Sequence, residues 1–192
     1  KGMQLVPERW GHFFKTPIEK EALVSFHLKE DELIKIIDIG YEFYCKIPEE
    51  IKKNYYSVIH WFLIGQCYIH DFEKFEAQYR VIDGCFNICK KLFGLKAQNH
   101  AERIEKLCEY FSIPIPEWAI ANEKKISLIS DCRNKLIHEA IYYNQPIGVK
   151  VGTDNLQFWL SKLNERIILS ILEIKSPDLL TPLHRCMYLL RF

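Results

Sequence analysis

The chain has 192 residues, of which 48% are apolar and 14% aromatic, and its formal net charge is +1. This length supports one compact core and is too short for two comfortable domains, and the apolar content excludes an intrinsically disordered chain. A net charge near zero also argues against a protein that grips long duplex DNA through many phosphates. Any contact with nucleic acid is therefore expected to be local.

The seven cysteines form neither a CxxC pair nor a regular disulfide framework. We therefore expect free thiols in a reducing cytosol, and hence a cytoplasmic protein. No apolar run approaches the ~18 residues that a membrane-spanning helix needs, and no signal peptide is recognisable, so no membrane partner is predicted. No group of side chains has the spacing of a metal site, and neither a metal nor another cofactor is predicted.

Residues 1–28 differ from the rest of the chain. The stretch from Leu23 to Leu28 alternates in part between apolar and polar residues, which favours a short strand. The first residues are not a natural start, which suggests either the end of a tag or a cut from a longer protein. We divide the chain into a short non-helical N-terminal segment, 1–28, that is the end of an upstream domain or a linker, and a helical domain, 29–192.

From Glu30 onwards the apolar residues recur at helical spacing. Helices are predicted from Glu30 to Pro48, from Pro48 to Ile69, from Asp71 to Gly94, from Gln98 to Phe111, from Ile126 to Tyr143, and from Thr153 or Asp154 to Ser176. The third of these carries two apolar stripes and is expected to be the core helix. The predicted fold is all-α, a bundle of about five or six helices.

The predicted helix from Ile126 to Tyr143 carries three polar side chains of chemical interest. Asn134 and His138 are four residues apart and share one face of a helix. Arg133 lies about 140° around the helix from His138, so only its long side chain can bring the guanidinium beside the imidazole. A permanent cation beside a ring that titrates near neutral pH suits chemistry at a phosphate.

Arg133, the polar Asn134 and His138 resemble the signature of the HEPN superfamily (higher eukaryotes and prokaryotes nucleotide-binding), an arginine followed after four to six residues by a histidine. The resemblance covers the chain from Glu30 to Lys175 as helical architecture, with the motif helix near the C-terminal end. Arg-Asn, then apolar residues and His-Glu, is similar to members from bacterial toxins and anti-phage defence. One branch of the family has a tyrosine two residues after the histidine, where this chain has Ala140, so the regulatory modification of that tyrosine is not expected.

The resemblance implies a metal-independent endoribonuclease with a composite active site at a homodimer interface, where two motif helices meet and RNA lies between them. In such a site His138 transfers protons, Arg133 holds the phosphate, and Asn134 orients the histidine or binds an oxygen. The products carry a 2′,3′-cyclic phosphate. The candidate supporting side chains are Glu76, Asp83 and Glu139. An upstream sensor domain or an antitoxin is a further expected partner.

Two other interpretations stay open. In one, the chain is a non-catalytic module of the same fold that dimerises or binds RNA or nucleotide for another domain. In the other, it is an unrelated helical protein-interaction domain, whose Arg133 and His138 pair internally with Asp131 or Glu139. A plain ion pair is also the favoured interpretation of Glu76, because Arg80 stands four residues later on the same helix.

Overall fold

The computed structural model describes residues 30–147 and 156–175, and this part of the chain is all-α, as predicted. Its six α-helices are α1 (Glu30–Lys46), α2 (Glu49–Cys67), α3 (Asp71–Phe93), α4 (His100–Phe111), α5 (Leu128–Glu139) and α6 (Leu156–Ile171). A 3₁₀ turn, Glu117–Ala119, precedes α5, and a small hairpin of β1 (Ile141–Tyr142) and β2 (Gln145–Pro146) follows it. The predicted N-terminal segment and the predicted caps Thr153 and Asp154 lie outside the described residues.

The helices begin and end at residues whose backbone preferences explain the boundary. Pro48 separates α1 from α2, because its ring fixes φ and it has no N–H to donate within a helix. Gly94 ends α3 in the left-handed conformation, with φ 72°, and its N–H donates to the carbonyl of Lys90. Asn99 caps α4, since its side-chain oxygen accepts from the N–H of Glu102 at 3.0 Å. The predicted breaks at Pro48 and Gly94 are confirmed, whereas α4 begins at His100 rather than at the predicted Gln98.

Helix α3 lies at the centre of the core and packs against both α2 and α6. Its buried side chains lie on two faces, as its two apolar stripes predicted; they are Phe75, Ala77, Gln78, Tyr79, Val81, Ile82, Cys85, Phe86, Ile88 and Cys89. Gly84 permits the close approach of α2, because a Cβ at that position would lie 2.5 Å from Cγ2 of Val58. None of the helices in the described ranges is long and apolar enough to cross a membrane.

The motif helix α5 is shorter than the sequence predicted. It begins after Ser127, whose hydroxyl accepts from the N–H of Ser130 at 3.3 Å, and it ends at Glu139. Ala140 takes the left-handed conformation, with φ 54°, and its N–H donates to the carbonyl of Lys135. The predicted continuation to Tyr143 is wrong, because the β-branched and aromatic residues that follow Ala140 form a strand instead.

The hairpin after α5 turns at Tyr143 and Asn144, which both have positive φ, 55° and 60°. Two such residues in succession are the geometry of a type I′ turn, the tight turn that matches the twist of paired strands. Tyr142 on β1 is buried, its ring centre is 5.3 Å from that of Phe75, and its hydroxyl donates to Gln157 at 3.2 Å. The hairpin is therefore attached to the core directly beside the C-terminal end of α5.

Candidate functional site

Helix α5 presents the motif residues on its outer half. Its inner face is buried through Ile129, Cys132 and Leu136. Because each residue turns the helix by about 100°, Asn134 and His138 then point away from this face, and both are exposed. Arg133 lies at the border between the two faces and is partly buried. The three side chains thus share one accessible region of the helix.

The guanidinium of Arg133 makes one hydrogen bond and one cation–π contact with the described residues. Its Nη1 donates to Oδ1 of the neighbouring Asn134 at 3.1 Å, and its Cζ lies 5.8 Å from the ring centre of Tyr79, within the range of a weak cation–π contact. No carboxylate of the described residues forms an ion pair with it. The other N–H groups of Arg133 are therefore available to an anion such as a phosphate oxygen.

His138 lies in the last turn of α5 and makes no hydrogen bond or ion pair with any residue in the described ranges. The two acidic residues that the sequence placed near it take no part in such a pair. Asp131 instead binds Nζ of Lys135 at 2.8 Å, and Glu139 is exposed without an ion pair to another described residue. The internal pairing expected of a simple interaction domain is thus not seen in this part of the chain.

A cleft of about 240 Å³ lies between α3 and α5. Four of its lining side chains are apolar or aromatic, namely Phe75, Tyr79, Leu136 and Ile137, and four are charged, namely Glu76, Arg80, Asp83 and Arg133. Two of the predicted supporting residues, Glu76 and Asp83, therefore lie in the same cleft as Arg133. His138 and Glu139 are not among its lining residues, so the cleft lies to one side of the histidine.

Each carboxylate of the cleft is bound through one oxygen. Oε1 of Glu76 accepts from Nη2 of Arg80 at 2.5 Å, which confirms the predicted ion pair. The Arg80 guanidinium also stacks on Trp61, with its Cζ 4.4 Å from the ring centre. Oδ1 of Asp83 accepts from Nη1 of Arg103 at 2.6 Å and lies 3.4 Å from Nδ1 of His100.

Sequence reasoning did not find His100 and Arg103. They are three residues apart and so share one face of α4, and this spacing is visible in the sequence. Their carboxylate, Asp83, is on α3, beyond the turn at Gly94, and only the packing of α4 on α3 brings them together.

Tyr79 places a buried hydroxyl beside the cleft. The residue is 3% exposed, and its hydroxyl has no hydrogen-bond partner among the described residues. Burial raises the pKa of this phenol, the charge of Asp83 raises the pKa further, and Arg133 and Arg103 oppose the change. The hydroxyl is therefore neutral near pH 7 and keeps its proton as a donor.

No three His, Cys, Asp or Glu side chains come together as a possible metal site within residues 30–147 and 156–175. Comparison of the chain with protein-family models, with curated proteins and with solved structures gives no match. The resemblance to the HEPN superfamily therefore depends on Arg133, Asn134 and His138 and on the helical architecture around them.

Proposed function

We propose that the chain is a metal-independent endoribonuclease of the HEPN type, part of a bacterial toxin or anti-phage defence system, with a composite active site at a homodimer interface. The proposal rests mainly on the lack of partners for two motif side chains among the described residues. Arg133 has no carboxylate partner and His138 no hydrogen-bond partner among the described residues, although Asp131 and Glu139 stand on the same helix. Arg133 and His138 are therefore accessible to a phosphate, with which an arginine forms charge-assisted hydrogen bonds.

The reaction needs a base and an acid on opposite sides of one phosphate. His138 takes the proton of the RNA 2′-hydroxyl, whose oxygen then attacks the adjacent phosphorus. The bond from phosphorus to the 5′-oxygen breaks, and His138 of the partner subunit protonates this leaving oxygen. Arg133 stabilises the negative charge that develops on the other phosphate oxygens. The products are a 2′,3′-cyclic phosphate and a 5′-hydroxyl.

The face that carries the motif also supports a two-fold contact. Ile137 lies between Arg133 and Asn134 around the helix and is 49% exposed. A two-fold axis beside Ile137 would cover this apolar side chain and bring a second motif helix next to the first. One histidine alone could not serve as base and acid in a single step.

RNA cleavage in EDTA tests the proposal, with the parent chain compared with His138→Ala. We expect cleavage by the parent, cyclic-phosphate ends by mass spectrometry, and a loss of at least about 100-fold in the variant. The matched control is His60→Ala, because His60 is also an exposed histidine but lies on α2. Gel filtration measures whether each variant is a dimer, and thermal unfolding measures whether it is folded.

Equal cleavage by the parent and His138→Ala would remove the motif from the chemistry. Cleavage by a strictly monomeric parent would overturn the composite site. A folded dimer that binds but does not cut RNA would instead be a non-catalytic module of the same fold.

A further inference from the structure

We propose that helix α1 packs against α1 of a second copy of this chain, antiparallel and about a two-fold axis. The contact surface, here named the α1 stripe, consists of four side chains at successive steps of three, four and three residues: Ile34, Ile37, Tyr41 and Tyr44. None of them belongs to the motif on α5 or lines the cleft. The inference therefore does not depend on the proposed nuclease function.

Helix α1 is apolar on two sides, and the described residues cover only one of them. On the covered side, Ile39 and Phe43 pack against the core, and the Phe43 ring centre is 5.2 Å from that of Tyr55. On the other side, the residues of the α1 stripe are 53%, 59%, 68% and 37% exposed, in chain order. A helix with two apolar sides is normally buried on both, as α3 is. A partner that covers the α1 stripe is therefore expected.

The exposed surface is large enough for a protein contact. Lys52 of α2 lies 5.2 Å from the ring centre of Tyr44, and the exposed Tyr56 and Leu63 follow Lys52 on the same face of α2. With about 200 Å² for each fully exposed side chain, these two residues and the α1 stripe together expose on the order of 700 Å². Each partner in a standard interface buries about 800 Å². The surface is thus comparable in size with one side of a stable interface.

The α1 stripe is complementary to itself in an antiparallel arrangement. Its spacing of three, four and three residues is the same in both directions along the helix. A two-fold axis near the middle of the stripe would place Ile34 against Tyr44 of the partner subunit. In the same register, Ile37 would lie against Tyr41 of the partner subunit. Each aliphatic side chain then packs on an aromatic ring, as a contact between two copies of one surface requires.

The charges of α1 favour the same arrangement. Its sequence begins with Glu30, Asp31 and Glu32 and ends with Lys46. In an antiparallel pair the acidic start of each helix lies beside the basic end of the other, whereas a parallel pair would bring like charges together. Lys46 lies 3.0 Å from Glu42, but both side chains are exposed, so this pair leaves Lys46 accessible. The net charge of +1 opposes association of two copies only weakly.

Sedimentation equilibrium of the full chain tests the contact. Ile37→Asp would bury a charge in the middle of the α1 stripe, so we expect the dissociation constant of this contact to rise about 100-fold or more. Ile37→Leu should leave the assembly unchanged, because it keeps an apolar side chain of similar size. Ile120→Asp is the matched control, since Ile120 is also 53% or so exposed but lies outside α1, before α5. Circular dichroism and urea unfolding measure whether each variant is folded.

A second substitution separates this contact from the one proposed beside Ile137. If both contacts form, the parent assembles beyond a dimer, Ile37→Asp and Ile137→Asp each leave a dimer, and the double variant is a monomer. A dimer that Ile37→Asp dissociates and Ile137→Asp does not would support the α1 contact and contradict the composite active site. A dimer that only Ile137→Asp dissociates would overturn the α1 contact and leave the nuclease proposal standing.

Two further outcomes would overturn the α1 contact. The first is a parent that is monomeric at about 100 μM, a concentration at which a contact with a dissociation constant of about 1 μM is largely formed. If Ile37→Asp also destabilises such a monomer, the α1 stripe is covered by another segment of the same chain. The second is an equal loss of assembly in Ile37→Asp and in the control Ile120→Asp, which would show a general effect of added charge.

Discussion

Polar side chains buried between α3 and α6 differ from those on the outer face of α5 in what they contact. Asn164 of α6 is fully buried, and its Nδ2 donates at 2.8 Å both to the carbonyl and to Oε1 of Gln78 on α3. On α5, by contrast, Asn134 and His138 are exposed, and Arg133 bonds to its own neighbour. The first group joins helices, and the second is available to other molecules.

From this difference we expect substitutions between α3 and α6 to affect stability and substitutions on the outer face of α5 to affect binding. A buried polar group that is deprived of its partner carries a desolvation cost, so the bonds between α3 and α6 help to fix how these helices pack. The outer face of α5 makes no comparable bonds to another helix within the described residues. Four predictions concern α5 and α6, in order of decreasing effect.

Substitution of Arg133 by lysine should have the largest effect, and on activity alone. Lysine keeps the charge but lacks the planar fork that binds two phosphate oxygens, so the proposed nuclease function predicts that cleavage falls about 100- to 1,000-fold. The free energy of unfolding should change by less than about 1 kcal/mol, because the guanidinium holds only a weak cation–π contact with Tyr79 and an exposed bond to Asn134. Single-turnover kinetics and urea unfolding measure the two quantities. A large drop in stability with intact cleavage would place Arg133 in the structural group.

Glu165 on α6 should make stability depend on pH. Burial raises the pKa of this carboxyl from 4.5 to about 7, although Lys162 lies 3.1 Å away and opposes the change. The folded chain therefore keeps a proton that the unfolded chain has released, and stability falls as pH rises from 4.5 to about 7. The fall is on the order of 3 kcal/mol.

Glu165→Gln should remove this slope, because glutamine does not ionise. Urea unfolding of both chains at about pH 5 and about pH 7.5 spans the window in which Glu165 titrates. The variant should be the more stable chain at the higher pH. The same pH dependence in both chains would show that other groups cause it.

Asn164→Leu and Asn134→Leu compare the two groups directly. The first change removes both bonds to Gln78 and leaves a buried acceptor without a partner, so we expect the free energy of unfolding to fall by about 2–3 kcal/mol. The second replaces an exposed side chain and should change stability by less than about 0.5 kcal/mol. Urea unfolding of both variants gives the comparison. Equal effects would refute the division between the two groups.

Ala140→Gly should produce the smallest change, and a favourable one. Ala140 has φ 54°, a conformation that strains a residue with a Cβ and suits glycine at the end of a helix. After allowance for the greater freedom of glycine in the unfolded chain, we expect a gain of about 0.5 kcal/mol. Differential scanning calorimetry would detect it as a raised Tm, whereas a lowered Tm would mean that the methyl group of Ala140 matters more than its backbone.

The sequence predicted most of the fold, because helices depend on short-range patterns. Pro48 lacks an N–H and Gly94 adopts the left-handed conformation, so each marks a helix boundary that can be predicted from the residue alone. The two apolar stripes of α3 correctly indicated burial on two sides. The end of α5 was missed because apolar spacing continues through Ile141 and Tyr143, while the left-handed turn at Ala140 leaves no comparable mark in the sequence.

Only the part of the candidate site that lies on one helix could be predicted from the sequence. Arg133, Asn134 and His138 are close in sequence, so helical geometry alone places them together. The cleft depends instead on how α5 packs beside α3, and such packing follows from the whole core rather than from any local pattern. For the same reason the contacts of Asp83 with His100 and Arg103 had no counterpart in the sequence analysis.

Both ends of α5 are fixed by hydrogen bonds. An inserted residue would therefore displace the side chains that follow it in the helix. Ser127 fixes the start, while the hairpin fixes the end through the bond from Nζ of Lys135 to Oδ1 of Asn144 at 2.8 Å. An extra residue between Asn134 and His138 could not be absorbed by sliding either end. It would turn every later side chain of the helix by about 100° and separate His138 from the face that it shares with Asn134.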